Sequence, residues 1–314
     1  MKRRLIIPGG SGFLGRRVAE WFAASGWDVT VLSRQGEPVP GVRVARWDGA
    51  TLGDWKSVFE GAEAVLNLAG RSVNCRYNSK NRAEILDSRV NSTRILGEAI
   101  AGCTIPPKVW LNSSTATIYR HAEDRPMDDE TGEIGSGFSV GIALAWEKEF
   151  FERQLPATRR LALRTAMVMG PQPGGPFVVF HRLARLGLGG TLGSGRQMVS
   201  WLHDEDFCRA VEWLIDHEEV SGPINVSAPN PLPNREFMRE VRRAARAPIG
   251  LPATRWMLEV GALILRTETE LPLKSRWVLP SRLKAAGFSF NHPDWPNAAL
   301  EIVGRIDSAR SHPG

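Results

Sequence analysis

The chain has 314 residues, 42% of them hydrophobic and 24% charged, a balance that supports a sizeable core and excludes wholesale disorder. Its formal net charge of +6 comes from scattered Lys and Arg, with no basic helix and no zinc-finger spacing; this disfavours nucleic acid and fits an anionic small molecule or cofactor. Three widely spaced cysteines, Cys75, Cys103 and Cys208, argue against a disulfide framework or a metal site and for a reducing compartment.

The first apolar run, Leu5-Ile6-Ile7, reads as a buried strand. It leads into Pro8-Gly9-Gly10-Ser11-Gly12-Phe13-Leu14-Gly15, and a helical pattern follows over 16–25. Strand, glycine turn and helix in that order form the unit that binds a dinucleotide. The glycines at 9, 12 and 15 have separate tasks. One permits the tight turn, one lets the backbone approach a pyrophosphate, and one lets the helix pack on the strand. The helix N-terminus adds unpaired N–H groups and a positive dipole end. Cofactor contacts are therefore expected at Gly9, Ser11, Gly12, Phe13, Leu14 and Gly15.

A second strand spans 28–34. An acidic residue at the end of this strand binds the ribose 2′-hydroxyl in NAD sites. Here Ser33 and Arg34 stand there, with Arg16 able to join them. A carboxylate repels a 2′-phosphate, whereas a hydroxyl and a guanidinium hold it, so NADP(H) is expected in preference to NAD(H). A third strand spans 42–48, where Asp48 either meets an adenine edge or starts the turn into Gly49. The fourth strand, 64–70, ends in small residues, so that Leu68, Ala69 and Gly70 let the cofactor pass close.

A polar stretch over 71–89 follows, in the place where such sheets bind ligands outside their strand ends. Arg71, Arg76 and Tyr77 are candidate contacts for an anionic substrate; the alternative is a solvated polar loop. Helices are expected over 82–101 and 138–154, with strands over 109–114 and 161–169. Alternation of this kind predicts an α/β fold with a doubly wound parallel sheet. Glycines and prolines crowd the stretch 170–195 and mark a domain crossing. A helix over 204–217 and a strand over 224–227 return to the main sheet, and Asn234 is placed to cap the next helix. The expected arrangement is a dinucleotide-binding domain over 1–170, with 203–228 returning to it. The stretches 171–202 and 229–314 form a smaller, mostly helical C-terminal substrate or lid domain. The apolar helix over 256–265 is shorter than the ~20 residues of a membrane span, so no membrane is expected and the cytoplasm is the expected location. That helix covers either the core or a second copy in a homo-oligomer.

These motifs resemble the extended short-chain dehydrogenase/reductases, the group that contains sugar-nucleotide epimerases and dehydratases. The likeness rests on Gly9-x-x-Gly12-x-x-Gly15, Asn67-Leu68-Ala69, Asn91 in Val90-Asn91-Ser92-Thr93, and Ser113-Ser114-Thr115-Ala116-Thr117-Ile118-Tyr119. Arg164 with Gly170-Pro171, and Trp201-Leu202-His203-Asp204-Glu205-Asp206, extend it. The branch of bacterial and organellar "epimerase family" proteins is more similar still, through Ser88-Arg89, Trp146-Glu147, Gly193-Ser194-Gly195-Arg196-Gln197 and Leu279-Pro280-Ser281-Arg282.

The resemblance implies a Rossmann sheet and a catalytic set of Ser/Thr, Tyr and Lys with a helix Asn. Thr115 fits the first role and Asn91 the last, and Asn91 and Met167 are expected along the cofactor. With Glu147 aligned on the group's glutamate, Ser139 falls at the Tyr position and Ala143 at the Lys position. A serine hydroxyl is too weak an acid for the tyrosine's task, and alanine has no ammonium. Tyr119 is a substitute acid or a packing residue. The arginine that holds a nucleotide diphosphate in the larger group corresponds to Val199, so Arg196 and Trp201 are the neighbouring candidates for substrate contact. Two functions fit: an NADP(H)-dependent oxidoreductase or epimerase-like enzyme on an unidentified small molecule, or a catalytically weak NADP(H)-binding sensor or scaffold.

Overall fold

Short apolar runs alternate with helices from the first residues onward. The computed structural model describes residues 2–35, 39–253, 257 and 273–311. In chain order come β1 (Arg4–Pro8), α1 (Phe13–Ala24), β2 (Asp28–Ser33), β3 (Arg43–Arg46), β4 (Ala64–Asn67), α2 (Ser79–Ala101), β5 (Val109–Ser113), α3 (Phe138–Glu152) and β6 (Arg159–Thr165). The chain continues with β7 (Met167–Met169), α4 (Pro176–Arg185), β8 (Met198–Val199), β9 (Trp201–His203), α5 (Asp204–Asp216), β10 (Gly222–Val226), β11 (Leu232–Pro233) and α6 (Asn234–Ala244). Helices Ser281–Ala285 and Trp295–Ser311 follow.

Seven strands pair in the order β10-β6-β5-β4-β1-β2-β3, and every pair is parallel. The order reverses between β1 and β4, which opens a crevice at the carboxyl ends of those strands. The doubly wound sheet expected from the sequence is present, and the glycine turn sits at its switch point. The apolar faces of β1, β2, β4, β5 and β6 bury Leu5, Ile7, Val29, Val31, Leu66, Leu111 and Leu163 in the main core.

The 203–228 stretch does return to the sheet. β10 pairs with β6 from Gly222 opposite Leu161, and Arg17 of α1 meets Asp204 of α5 at 2.8 Å. A second core gathers Phe177, Trp201, Phe237, Trp295 and Ile302 under α4, α6 and helix Trp295–Ser311. Among the described residues, no helix is long and apolar enough to cross a membrane.

Three expectations need correction. The strand over 161–169 is two strands: the Ala166 N–H still reaches Val226 O of the main sheet, but from Met167 the partner is β9. α2 begins at residue 79 rather than 82, because the Asn78 side chain accepts the Asn81 N–H and caps the helix there. Asn234 does not cap α6. It is the helix's first residue, and its side-chain oxygen accepts the Leu192 N–H at 2.9 Å, tying the glycine-rich segment down. The helix expected over 256–265 lies, apart from residue 257, outside the described residues.

α6 ends at Ala244 with Ala245 as its C-cap, and the next residue, Arg246, has a φ of 53°, in the left-handed region that favours glycine. Arg246→Gly is expected to raise stability by about 0.5 kcal/mol, as relief of Cβ strain exceeds the added chain entropy. Urea denaturation decides: a loss would mean that the arginine side chain holds the turn more firmly than the strain opposes it.

Candidate cofactor site

Each glycine of the first turn has a distinct surrounding. Gly9 has φ +78°, and a Cβ there would lie 2.7 Å from Ala69 N, so the turn packs directly on the end of β4. A Cβ at Gly15 would lie 2.5 Å from Gly10 Cα, so α1 packs on the turn only because Gly15 has no side chain. Gly12 differs. The nearest atom to a Cβ there is Gly9 O at 3.5 Å, an ordinary contact, and its φ of −74° suits any residue. Nothing inside the protein requires glycine at 12; its missing side chain keeps the cleft mouth open. No side chain caps this end of α1 and no acid stands in its first turn, leaving the dipole end to an anion.

The crevice beside the turn is a cleft of about 630 Å³. Gly9, Ser11, Gly12, Ser33, Arg34, Asp48, Leu68, Ala69, Gly70, Arg71 and Asn91 line it, bringing together most of the cofactor contacts expected from the sequence. At its β2 end, the Ser33 hydroxyl donates to Ser11 Oγ at 3.1 Å and joins strand end to turn. The exposed Arg34 also borders an adjoining hollow with Arg46, Trp47 and Thr51. Asp48 lines the cleft while holding its own turn. Its carboxylate accepts the Thr51 hydroxyl and the N–H groups of Thr51 and Ala50, which hold its pKa down at about 2.

The other expected contacts shape the turn from outside the cleft lining. Arg16 Nε donates to Ser11 O at 2.9 Å, Leu14 packs on the main core, and the Phe13 ring occupies the space a Cβ on Gly175 would enter.

α2 supplies the opposite wall with Glu84, Asp87, Ser88, Asn91 and Ser92. Only Asn91 was anticipated. Yet 84, 88, 91 and 92 follow the i, i+4, i+7, i+8 spacing of one helical face, so the signal was a polar face in an otherwise half-apolar helix. Arg71 lines the cleft paired with Glu84, and its Nη2 donates to Asn81 Oδ1 at 2.9 Å. Arg76 and Tyr77 lie outside the cleft lining. The Tyr77 ring meets Phe138 edge-on at 5.0 Å, and the Arg82 guanidinium covers the Phe138 ring at 4.6 Å, so this loop folds onto the start of α3.

The catalytic candidates stand beyond the end of β5. Thr115 Oγ1 accepts the Thr117 N–H at 3.1 Å and caps a single 3₁₀ turn, Ala116–Ile118. Lys274 Nζ donates to Thr117 O at 2.7 Å and Arg276 Nε to Thr117 Oγ1 at 3.0 Å, so the C-terminal segment braces that turn. Ser139 is half-buried in the first turn of α3, and Ala143, one turn on, is fully buried.

Tyr119 is not poised as a substitute acid. It is 2% exposed; its hydroxyl donates to Asn225 Oδ1 at 2.8 Å and accepts from Arg164 Nη1 at 3.1 Å, and burial pushes its pKa up. Trp201 is likewise a core residue, not a substrate contact: it is 0% exposed, its indole N–H donates to Asn230 O, and its ring packs on Trp295. Met167 faces a separate cavity of about 20 Å³ with Val199, Lys274 and Arg276, rather than the cofactor cleft. Arg196 is exposed and lies 3.6 Å from Glu123.

His203, Glu205 and His292 bring ligand-type atoms within 4.8 Å of one another, but these atoms already work as a clamp. His203 Nδ1 accepts the Glu205 N–H, its Nε2 meets Glu301 at 2.8 Å, and Glu205 accepts from Asn291.

Residues 5–227 match the NAD dependent epimerase/dehydratase family, and residues 253–302 match a domain of unknown function, DUF1731. The chain is 28% identical over 312 residues to the epimerase family protein YfhF of Bacillus subtilis, covering 95% of this chain and 97% of that one. The crystal structure of human epimerase family protein SDR39U1 (isoform 2) with NADPH is 29% identical, with a TM-score of 0.82 over 96% of this chain and 99% of that chain. The nucleoside-diphosphate sugar epimerase of Corynebacterium glutamicum is 25% identical, with a TM-score of 0.76 over 99% of this chain and 60% of that chain. With its glycine cradle at the switch point of a parallel sheet, the chain belongs to the NAD dependent epimerase/dehydratase family, in its extended short-chain dehydrogenase/reductase form with a DUF1731 C-terminal region.

Proposed function

We propose that the protein binds NADP(H) in preference to NAD(H) and acts as an oxidoreductase or epimerase-like enzyme on a small molecule. The observation that carries this reading is the β2 end of the cleft. Ser33 and Ser11 share a hydrogen bond there beside the exposed Arg34, at the place where an NAD site carries a carboxylate. The NADPH in the crystal structure of the human relative supports it. When bound, the nicotinamide supplies hydride donor or acceptor chemistry. The chain's own residues bind and orient: Gly12 and the α1 N-terminus take the pyrophosphate, Ser11, Ser33 and Arg34 the 2′-phosphate, and Ala69 and Gly70 give passage. Thr115 Oγ1 accepts the Thr117 N–H and so keeps its own proton to donate to a reacting oxygen. With Ser139 and Ala143 in place of Tyr and Lys, a water or a substrate group completes the proton transfer.

One observation favours the second reading, a catalytically weak sensor or scaffold. Ala143 carries no ionisable group and Tyr119 is enclosed at 2% exposure, so neither serves as the acid or its cationic partner. Two measurements separate the possibilities. NADPH is expected to raise the melting temperature more than NADH at equal concentration; a ligand at a hundred times its Kd adds ~2.7 kcal/mol of stability. Arg34→Asp is expected to reverse the preference, and equal shifts with both cofactors in the wild type would sink the Ser33/Arg34 assignment. NADPH turnover against a panel of carbonyl compounds, lost in Thr115→Val, supports the enzyme. Tight binding with no turnover supports the sensor.

A further inference from the structure

Arg89 stands directly behind the lining of the cleft, against Gly70, and no carboxylate pairs with it among the described residues. A Cβ on Gly70 would stand 3.3 Å from the Arg89 Cζ and 3.4 Å from its Nη1, so the guanidinium occupies the side-chain side of that glycine. Gly70 is exposed and lines the cleft, as do Ser88, Asn91 and Ser92, the helix neighbours of Arg89. The side chain is held firmly. Its Nη1 donates to Arg71 O at 3.1 Å and to Ile85 O at 3.0 Å, and its Cζ stands 5.2 Å from the centre of the Trp146 ring.

Carbonyl oxygens and an aromatic face orient a cation but do not neutralise it. Nearby arginines are served differently: Arg71 meets Glu84 and Arg164 meets Glu147, whereas no carboxylate pairs with Arg89 among the described residues. Burial pushes the Arg89 pKa down to about 10, with the Tyr77 phenol nearby as the opposing influence, so the group is still charged at neutral pH. Arg89 is half-buried, and a charge drawn out of water without a counter-charge is costly, a cost that a ligand of opposite sign relieves.

The position of Gly70 says which part of the ligand that is. The backbone of Gly9 is in contact with Leu68 and Ala69, so the turn that cradles phosphates and the residue that opens onto Arg89 are neighbours. The 2′-phosphate end, at Ser33 and Arg34, lies on β2 instead.

We propose that Arg89 is a positioning residue for the dinucleotide's pyrophosphate, acting from the α2 wall of the cleft while the α1 N-terminus acts from the glycine turn. This rests on the dinucleotide reading above. It assigns to Arg89 a charge-assisted bond to a phosphate oxygen, with Gly70, by lacking a side chain, leaving room for the guanidinium at the cleft's edge.

The test compares three probes on three proteins: NADPH, NADH and adenosine 2′-monophosphate, which has the 2′-phosphate but no pyrophosphate. Calorimetric titration of wild type, Arg89→Met and Arg89→Lys reads the affinities, and melting curves confirm that each variant is folded. Arg89→Met is expected to weaken NADPH and NADH alike, by about tenfold, and to leave adenosine 2′-monophosphate within about twofold. Arg89→Lys keeps the charge but loses the fixed fork, and is expected to weaken NADPH and NADH by less than Arg89→Met does while leaving adenosine 2′-monophosphate within about twofold. Unchanged NADPH affinity in Arg89→Met overturns the proposal and leaves the dinucleotide reading standing. Equal weakening of adenosine 2′-monophosphate, or a lysine variant as weak as the methionine one, also overturns it, since Arg89 would then only shape the wall. A wild-type protein that binds none of the probes refutes the dinucleotide reading itself.

Discussion

Glu147→Ala is expected to lower the unfolding free energy by about 3 kcal/mol or more, read by urea denaturation. Glu147 is the hub of a buried polar network. Its Oε1 accepts from Ser114 Oγ at 2.6 Å and from Arg164 Nε at 2.9 Å, and its Oε2 accepts from Arg164 Nη2 at 2.8 Å. Arg164 passes the network on to Tyr119, Tyr119 to Asn225, and Asn225 Nδ2 to Leu279 O of the C-terminal segment. Burial works against the Arg164 charge, but the Glu147 carboxylate and the Tyr119 hydroxyl hold its pKa above the usual value. Removing the carboxylate leaves that guanidinium uncompensated between β5 and α3, which is the costly way to break a buried pair. Replacing both partners with apolar groups, Glu147→Leu with Arg164→Met, is expected to recover much of the loss. A loss below about 1 kcal/mol in the single variant would show that water reaches Arg164 and that the network is not closed.

The same network explains what the sequence did and did not disclose. The chemistry of Tyr119, Trp201 and Met167 was visible in their residue types, but their direction was not. A tyrosine two residues past a strand-end Thr-Ala-Thr can point toward the cleft or back into the protein, and here Asn225 and Arg164, distant in the chain, draw it back. The glycine turn was legible because its function is local: spacing alone places strand, turn and helix, and Ser33 follows from where the next strand ends. The six parallel pairs of the main sheet follow from alternation, since every crossover connection has the same sense. β8, β9 and β11 escaped, and β7 was run together with β6, because two or three residues show no period. Helix Trp295–Ser311 was legible after all. Trp295, Ala298, Ala299, Ile302, Val303 and Ile306 are its buried face at helical spacing, and Pro296 in the first turn starts a helix rather than breaking one. The polar face of α2 carried the rest of the cleft in the same way, but a helix with apolar and polar faces does not say which of its polar residues meets solvent and which meets a ligand.

Gly12→Ala and Gly15→Ala are expected to fail in opposite ways, and the contrast tests the cradle itself. At Gly15 a methyl group would lie 2.5 Å from Gly10 Cα and 2.7 Å from Gly9 O, both backbone atoms of a tight turn, so α1 must move away from the strand. Gly15→Ala is therefore expected to destabilise the protein without any ligand by about 1–3 kcal/mol, the usual cost of overpacking. At Gly12 a methyl group meets only Gly9 O, at an ordinary 3.5 Å, with the backbone already extended. Alanine is a poorer helix cap than glycine, but it also restricts the unfolded chain, and the two effects nearly cancel. Gly12→Ala should therefore keep the ligand-free stability within about 0.5 kcal/mol of wild type. Its methyl group projects into the open mouth of the cleft, where the phosphates must come within hydrogen-bond distance of the α1 N-terminus. Displacing them removes charge-assisted bonds, and NADPH affinity is expected to fall by tenfold or more, about 1.4 kcal/mol or above. Melting curves of both variants, with and without NADPH, read stability and binding in one experiment. Undiminished NADPH stabilisation of Gly12→Ala would mean that the phosphates do not lie on this turn, because a ligand held there has no room for the added carbon.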